Sequence, residues 1–238
     1  MEFEYKPYER PDLPGDPLQR AREFTKLMSQ RRSVREFSER EVPEELIQEV
    51  IRTAGTAPSG ANKQPWRFVA VNDPRIKSEI RRAAEEEERE FYSKRANPKW
   101  IDDLKHLGTD ANKPFLEQAP WLIVAFRLNR DDAPDPGIGA SDQVYYVAES
   151  MGIAVGMLLS AAQNAGLATL THTPSPMNFL GKVLNRPSHE RPFLIIPIGY
   201  PADDCMVPDI SKKELSEIMV LNREQAGTKP PTEGDESR

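Results

Sequence analysis

Three arginines, Arg31, Arg32 and Arg35, crowd around Ser33 in the stretch RRSVREF. A guanidinium stays charged and presents its donors in a planar fork. The grouping therefore suits a phosphate, whose oxygens accept paired N–H bonds. It suits a plainer task equally well, complementing the negative end of a helix dipole. A second stretch, EEEEREFYSKR at 85–95, runs four acids into two aromatics and back to bases. Such runs commonly solvate an exposed helix face. Within this one, Glu88 and Tyr92 stand four apart, which on a helix places both side chains on one face. Other chemistries are poorly supplied. The chain has no dinucleotide glycine fingerprint and no P-loop. Its three histidines make no metal-ligand spacing, so no metal is expected. Cys205, the single cysteine, excludes an intramolecular disulfide. It lies in DDC within a proline-rich loop, where no neighbouring base would activate it as a nucleophile.

These residues need elements to position them. PLQRAREFTKLMSQRR reads as a first helix, and EELIQEVIRTAG as a second, with Leu46, Ile47, Val50 and Ile51 on one stripe. Two prolines and a glycine in TAPSGANKQPW stop any continuation, and RFVAVND follows as a strand. Residues 74–95 have helical character. Trp100, Ile101, Leu104 and Leu107 recur at helical spacing in a polar setting that could move as a lid. PWLIVAFRL reads as a buried strand and VAESMGIAVGMLLSAAQNAGL as the most apolar helix. ATLTHT and PFLIIPIGYP read as two more strands with a short helix near 177–184 between them. Alternating helices and strands around one apolar helix predict an α+β or α/β fold in a single domain.

At 238 residues the chain can bury a substantial core. A net charge of −6 and no long basic stripe argue against nucleic-acid binding. No apolar run approaches the ~20 residues of a membrane span, and the polar start lacks a signal core. A cytoplasmic location is the expectation. The expected organisation is an extended arm at 1–21, a main domain at 22–222 with a lid about 88–113, and a disordered tail at 223–238.

RRSVREF, then APSGANKQPWRFVAV and a distal IPIGYP, together resemble the flavin-dependent nitroreductase superfamily. Within it, EEEEREFYSKR…WIDDLKHL, AGLATLTHTP, NRPSHE and VPDISKK are similar to the iodotyrosine deiodinase family. The resemblance covers roughly 22–222. It implies an α+β fold with a central mixed sheet flanked by helices, in a domain-swapped homodimer that binds FMN at the subunit interface. Arg31, Arg32, Ser33 and Arg35 would hold the FMN phosphate and ribityl chain, with Lys212 a second cation near the phosphate. Ser59 and Gly60 would reach the flavin of the partner subunit. Thr171, His172 and Thr173 would line the flavin, His172 by packing. The Thr173 hydroxyl would stand against flavin N5 and favour one-electron steps over hydride transfer. Read from the residues alone, Thr173 better suits a strand end where the hydroxyl satisfies local backbone.

The same resemblance makes Glu88, Tyr92 and Lys113 a clamp for the amino-acid end of a substrate. The physical sense is direct. A zwitterion needs an anion for its ammonium, a cation for its carboxylate and a neutral donor between. Glu85, Glu86, Glu87 and Glu90 are expected to be solvated. The Ala61 N–H would bond the phenolate oxygen of a halotyrosine, whose halogen lowers the phenol pKa. The implied activity is reductive dehalogenation of mono- and diiodotyrosine, and of bromo- or chlorotyrosine, to tyrosine and halide. NAD(P)H would be the ultimate reductant, directly or through a separate reductase. The rivals are a general nitroreductase or quinone reductase, and a flavin-binding protein without turnover. The first does not account for Glu88, Tyr92 and Lys113 together, and the second differs in releasing no halide.

Overall fold

A computed structural model describes residues 5–96, 98–132 and 142–222. The chain divides into two compact units, Met1–Val207 and Pro208–Arg238. In the first unit, residues 5–16 form no helix or strand. Helix α1, Pro17–Ser29, then begins inside the stretch expected to be an arm, with Asp16 Oδ1 accepting the Gln19 N–H at 2.9 Å and proline in its first turn. Helix α2, Glu44–Gly55, buries Ile47, Val50 and Ala54 and half-buries Leu46 and Ile51, the stripe its spacing predicts. A turn at Gly60–Asn62 leads into strand β1, Trp66–Val71.

Helix α3, Pro74–Glu90, starts on another Asp-Pro pair. Asp73 Oδ1 accepts the Arg75 N–H at 2.8 Å. It ends in a π-helical turn, Phe91–Arg95. Helix α4, Pro98–Lys105, helix α5, Phe115–Gln118, and strand β2, Trp121–Leu128, follow. The apolar helix α6 spans Val147–Asn164. Strand β3, Ala168–Thr169, helix α7, Phe179–Val183, and strand β4, Glu190–Gly199, complete the unit.

The strands order as β1-β2-β4-β3, and each neighbouring pair is antiparallel. A parallel bridge, Ser33 to Thr169, gives the sheet its mixed character. Strands β2 and β4 are buried on both faces, which is why each reads as an unbroken apolar run. Trp121, Ile123, Ala125, Leu194, Ile196 and Ile198 pack with α2 and α6. The alternate residues Leu122, Val124, Phe126 and Ile195 pack with Ile80 and Ala84 of α3, Phe115 and Leu116 of α5 and Leu180 of α7. This second layer carries the cavity described below.

The stretch ATLTHT is strand only at Ala168–Thr169, a shorter element than its composition predicts. The cause sits in the facing strand. The Leu170 N–H donates to Pro197 O at 3.1 Å, but a proline has no N–H to return. Pairing resumes at His172 and Ile195, which exchange bonds of 2.8 and 2.9 Å. Residues 168–173 therefore follow β4 with a gap in the ladder.

The second unit holds helix α8, Leu215–Ile218, closed by a capping box between Glu214 and Glu217. Lys212 lies in this unit, just before α8, and is exposed. The tail at 223–238 lies outside the described residues. Among the described residues, no helix is long and apolar enough to cross a membrane.

Candidate active site

A cavity of about 280 Å³ opens between the end of α3, the α4 segment, the start of α5 and the chain from Leu170 to Ser175. Its lining gathers Arg35, Glu88, Tyr92, Lys113, Thr171, His172 and Thr173 from four stretches of the sequence. Phe91, Trp100, Leu104, Leu107 and Phe115 supply an apolar wall. The Phe91 ring meets Trp100 edge-on at 4.8 Å between centroids and Tyr92 at 5.3 Å, tying the π turn to α4. The lid residues expected from helical spacing thus form one side of the cavity, Ile101 excepted.

Glu88 and Lys113 face each other as an ion pair at 3.4 Å, with side chains only 12% and 4% exposed. Lys113 Nζ also donates to Thr109 Oγ1 at 3.2 Å and to the Asp110 carbonyl. The Tyr92 hydroxyl donates to the Thr109 carbonyl at 3.3 Å. Burial pushes the Glu88 carboxyl above the usual carboxylate range, with Lys113 pulling the other way. Burial likewise lowers the Lys113 ammonium, opposed by Glu88. Burial raises the Tyr92 phenol, and the nearby Glu88 and Asp110 add to this, so Tyr92 is a neutral donor. One anion, one cation and one neutral hydroxyl share a single wall.

The lining also carries polar atoms with nothing to bind. Among the described residues, Arg35 Nε and His172 Nε2 are buried side-chain atoms without a hydrogen-bond partner. Such atoms are costly unless a partner arrives. Arg35 is held on a chain that bridges Thr169 at Ser33 and Pro201 at Phe37, and the Val34 N–H donates to Thr169 O at 3.1 Å. His172 packs edge-on against Phe115 at 5.3 Å. Burial, then the Lys113 and Arg35 cations, drive its pKa down from 6.5 to about 3. It is a neutral imidazole, as suits a ring that packs.

The Nitroreductase family model matches residues 28–200. An iodotyrosine deiodinase of Haliscomenobacter hydrossis is 54% identical over 208 residues, spanning 87% of this chain and 92% of its own. This chain belongs to the nitroreductase family. Within the family, human iodotyrosine deiodinase 1 is 46% identical over 204 residues, 85% of this chain and 70% of the human protein. A crystal structure of oxidized iodotyrosine deiodinase bound to FMN and 3-iodo-L-tyrosine matches with a TM-score of 0.69 at 33% identity. The match covers 85% of this chain and 98% of that one.

Other residues expected from the nitroreductase resemblance stand apart from this cavity. Arg31 and Ser33 are half-buried just upstream of Arg35. Arg32 lines a separate groove with Gln163, Ala202 and Cys205. Ser59, Gly60 and Ala61 sit in the loop before β1 and do not line the cavity of their own chain. That loop is under backbone constraint: Ala61, Asn62 and Gln64 all have positive φ, at 50°, 54° and 46°. Ser59 Oγ steadies it by accepting the Gln64 N–H at 2.9 Å. A side chain at Gly60 would meet the Tyr145 carbonyl at 2.9 Å, so only glycine fits there. Cys205 carries a thiol raised by burial and by Glu36, in keeping with an unreactive group.

The acidic run needs one correction. Glu86 and Glu90 are exposed, but Glu85 and Glu87 are not solvated bystanders. Glu87 Oε2 pairs with Arg95 at 2.9 Å across the π turn. Glu85 Oε1 accepts the Lys113 backbone N–H at 2.8 Å. The first crosses the π turn and the second joins segments 28 residues apart, and a charge pattern reveals neither. Thr109 was missed for the same reason, although its spacing of four from Lys113 was visible.

Proposed function

We propose that this nitroreductase-family chain removes halogen reductively from halotyrosines, mono- and diiodotyrosine above all, with FMN as cofactor. The observation that carries this reading is the buried Glu88–Lys113 pair beside Tyr92 in a cavity that also carries the apolar Phe91, Trp100, Leu104, Leu107 and Phe115. An amino acid with one ring matches that division. Its ammonium replaces Lys113 as the partner of Glu88, its carboxylate takes Lys113, and Tyr92 donates to the carboxylate. Each charge-assisted contact contributes about 1.5–3 kcal/mol once water is excluded. A volume of about 280 Å³ lies at the small end for ligand sites, which suits a single ring.

The residues present fit FMN. Arg35 Nε and His172 Nε2 are buried without partners among the described residues, as groups awaiting a polar ligand would be. Arg31, Arg32 and Arg35 offer forks for a phosphate and Ser33 a hydroxyl. When bound, FMN supplies the two electrons that, with one proton, replace carbon–halogen by carbon–hydrogen and release halide. The chain does the rest. Thr171, His172 and Thr173 line the cavity and would bound a flavin there, with the Thr173 hydroxyl as the donor for its N5. The Ala61 N–H donates to the phenolate oxygen, favouring a halogen-acidified phenol over tyrosine itself. Phe91, Trp100 and Leu104 close over the ring and exclude water.

The proposal includes a homodimer in which Ser59, Gly60 and Ala61 serve the partner's cavity, since they do not line their own. Exposed Phe24, Tyr145, Tyr146 and Ile153 supply apolar surface for the contact. NAD(P)H, directly or through a reductase, is the proposed electron source. Comparing substrates tests the reading. Turnover of diiodotyrosine should exceed that of nitroaromatics and quinones, and the reverse order would mark a general reductase.

A further inference from the structure

The distance between the two clamping charges is set by neither of them alone. Glu88 projects from α3, whereas Lys113 comes from the segment entering α5, 25 residues on. What ties the segment to the helix is Glu85, one turn before Glu88. Its Oε1 accepts the Lys113 backbone N–H at 2.8 Å and the Arg81 Nε at 2.7 Å. Arg81 reaches onward from the same helix. It donates through Nη1 to Glu117 Oε2 at 2.7 Å and through Nη2 to Asn112 Oδ1 at 3.1 Å. Residues 112, 113 and 117 are thus held to α3 by one carboxylate and one guanidinium. The Glu85 side chain is 16% exposed, so water competes little for these bonds. Burial disfavours its charge, but Arg81 and the Lys113 N–H outweigh this and keep the carboxyl below its usual range.

Resting on the proposed halotyrosine activity, we infer that Glu85 is a positioning residue for substrate recognition, fixing the Lys113 backbone so that its ammonium stands opposite Glu88. Glu85 does not line the cavity and touches no substrate. Its effect is confined to the amino-acid end, because Thr171–Thr173 and Arg35 come from other parts of the chain. A carboxylate serves better than an amide here. It accepts from two donors at one oxygen and holds the Arg81 charge, whereas glutamine keeps an acceptor and loses the ion pair.

The test uses the full chain loaded with FMN. In Glu85→Ala, the Kd for 3-iodotyrosine, read from quenching of flavin fluorescence, should rise about ten-fold. Its kcat at saturation should stay within about two-fold, and flavin content should be unchanged. Glu85→Gln should recover most of the affinity. If Glu85→Ala does not fold, Arg81→Gln takes its place, with a smaller rise in Kd and the same constancy of kcat. Unchanged affinity in the variant overturns the inference. So does a parallel loss of affinity, kcat and flavin, which marks a purely structural tie. A wild-type protein that binds FMN but not 3-iodotyrosine is a separate outcome, and removes the underlying activity along with the inference.

Discussion

Burying a carboxylate beside an ammonium sets the pH range in which the clamp can work. Zwitterion capture requires Glu88 ionised and Lys113 protonated. Glu88 is raised and Lys113 lowered, each chiefly by burial, so the working window is narrowed from both sides. Affinity for 3-iodotyrosine should fall on the acid side earlier than an ordinary carboxylate would dictate. On the alkaline side it should fall earlier than for an ordinary lysine. Fluorescence titrations across pH check this, and Glu88→Gln should abolish the acid limb. Lys113→Ala leaves the substrate carboxylate without its cation, and should weaken binding about ten- to a hundred-fold. A neighbouring group affects stability instead. The folded pKa of His172 is depressed to about 3 from 6.5, so the folded state binds fewer protons than the unfolded one. The stability contributed by neutral His172 is complete above the unfolded value and is lost as pH falls toward the folded one. Between pH 6.5 and about pH 5 the loss should reach about 2 kcal/mol. Urea unfolding at both pH values should show a shallower loss in His172→Gln.

At the scale of elements, the junction of α3, the π turn and α4 governs access to the cavity. Trp100 is half exposed, yet its inner edge meets Phe91 and lines the cavity. Trp100→Ala should therefore leave thermal stability nearly unchanged while raising the KM for halotyrosine several-fold. A melting curve and steady-state kinetics separate the two effects. Much of this region was legible from sequence. The helical character from residue 74, the Glu88–Tyr92 spacing and the Trp100–Leu104–Leu107 period all reflect local rules that hold in the fold. The π turn was not, because five residues are too few to show a change of period. Nor were the roles of Glu85 and Thr109, which arise when segments distant in sequence meet. The truncation of β3 follows from Pro197 only once Leu170 is known to lie opposite it.

At the scale of the molecule, the site splits into two groups. Arg35, Glu88, Tyr92, Lys113 and Thr171–Thr173 converge on one cavity, whereas Ser59–Ala61 do not join them. The proposed dimer resolves that split, and it predicts that flavin is held only by the assembled pair. Ile153→Glu places a charge on the exposed apolar face of α6. Sedimentation should then show a shift toward monomer, with flavin content falling in step. The central claim is that electrons reach the carbon–halogen bond of a tyrosine seated in this cavity. The direct measurement is a single turnover without oxygen. Protein-bound FMN is reduced chemically, excess reductant is removed, and one equivalent of 3-iodotyrosine is added. The account predicts reoxidation of the flavin with one iodide and one tyrosine released per flavin. Flavin that stays reduced, or reoxidises without iodide, would contradict it.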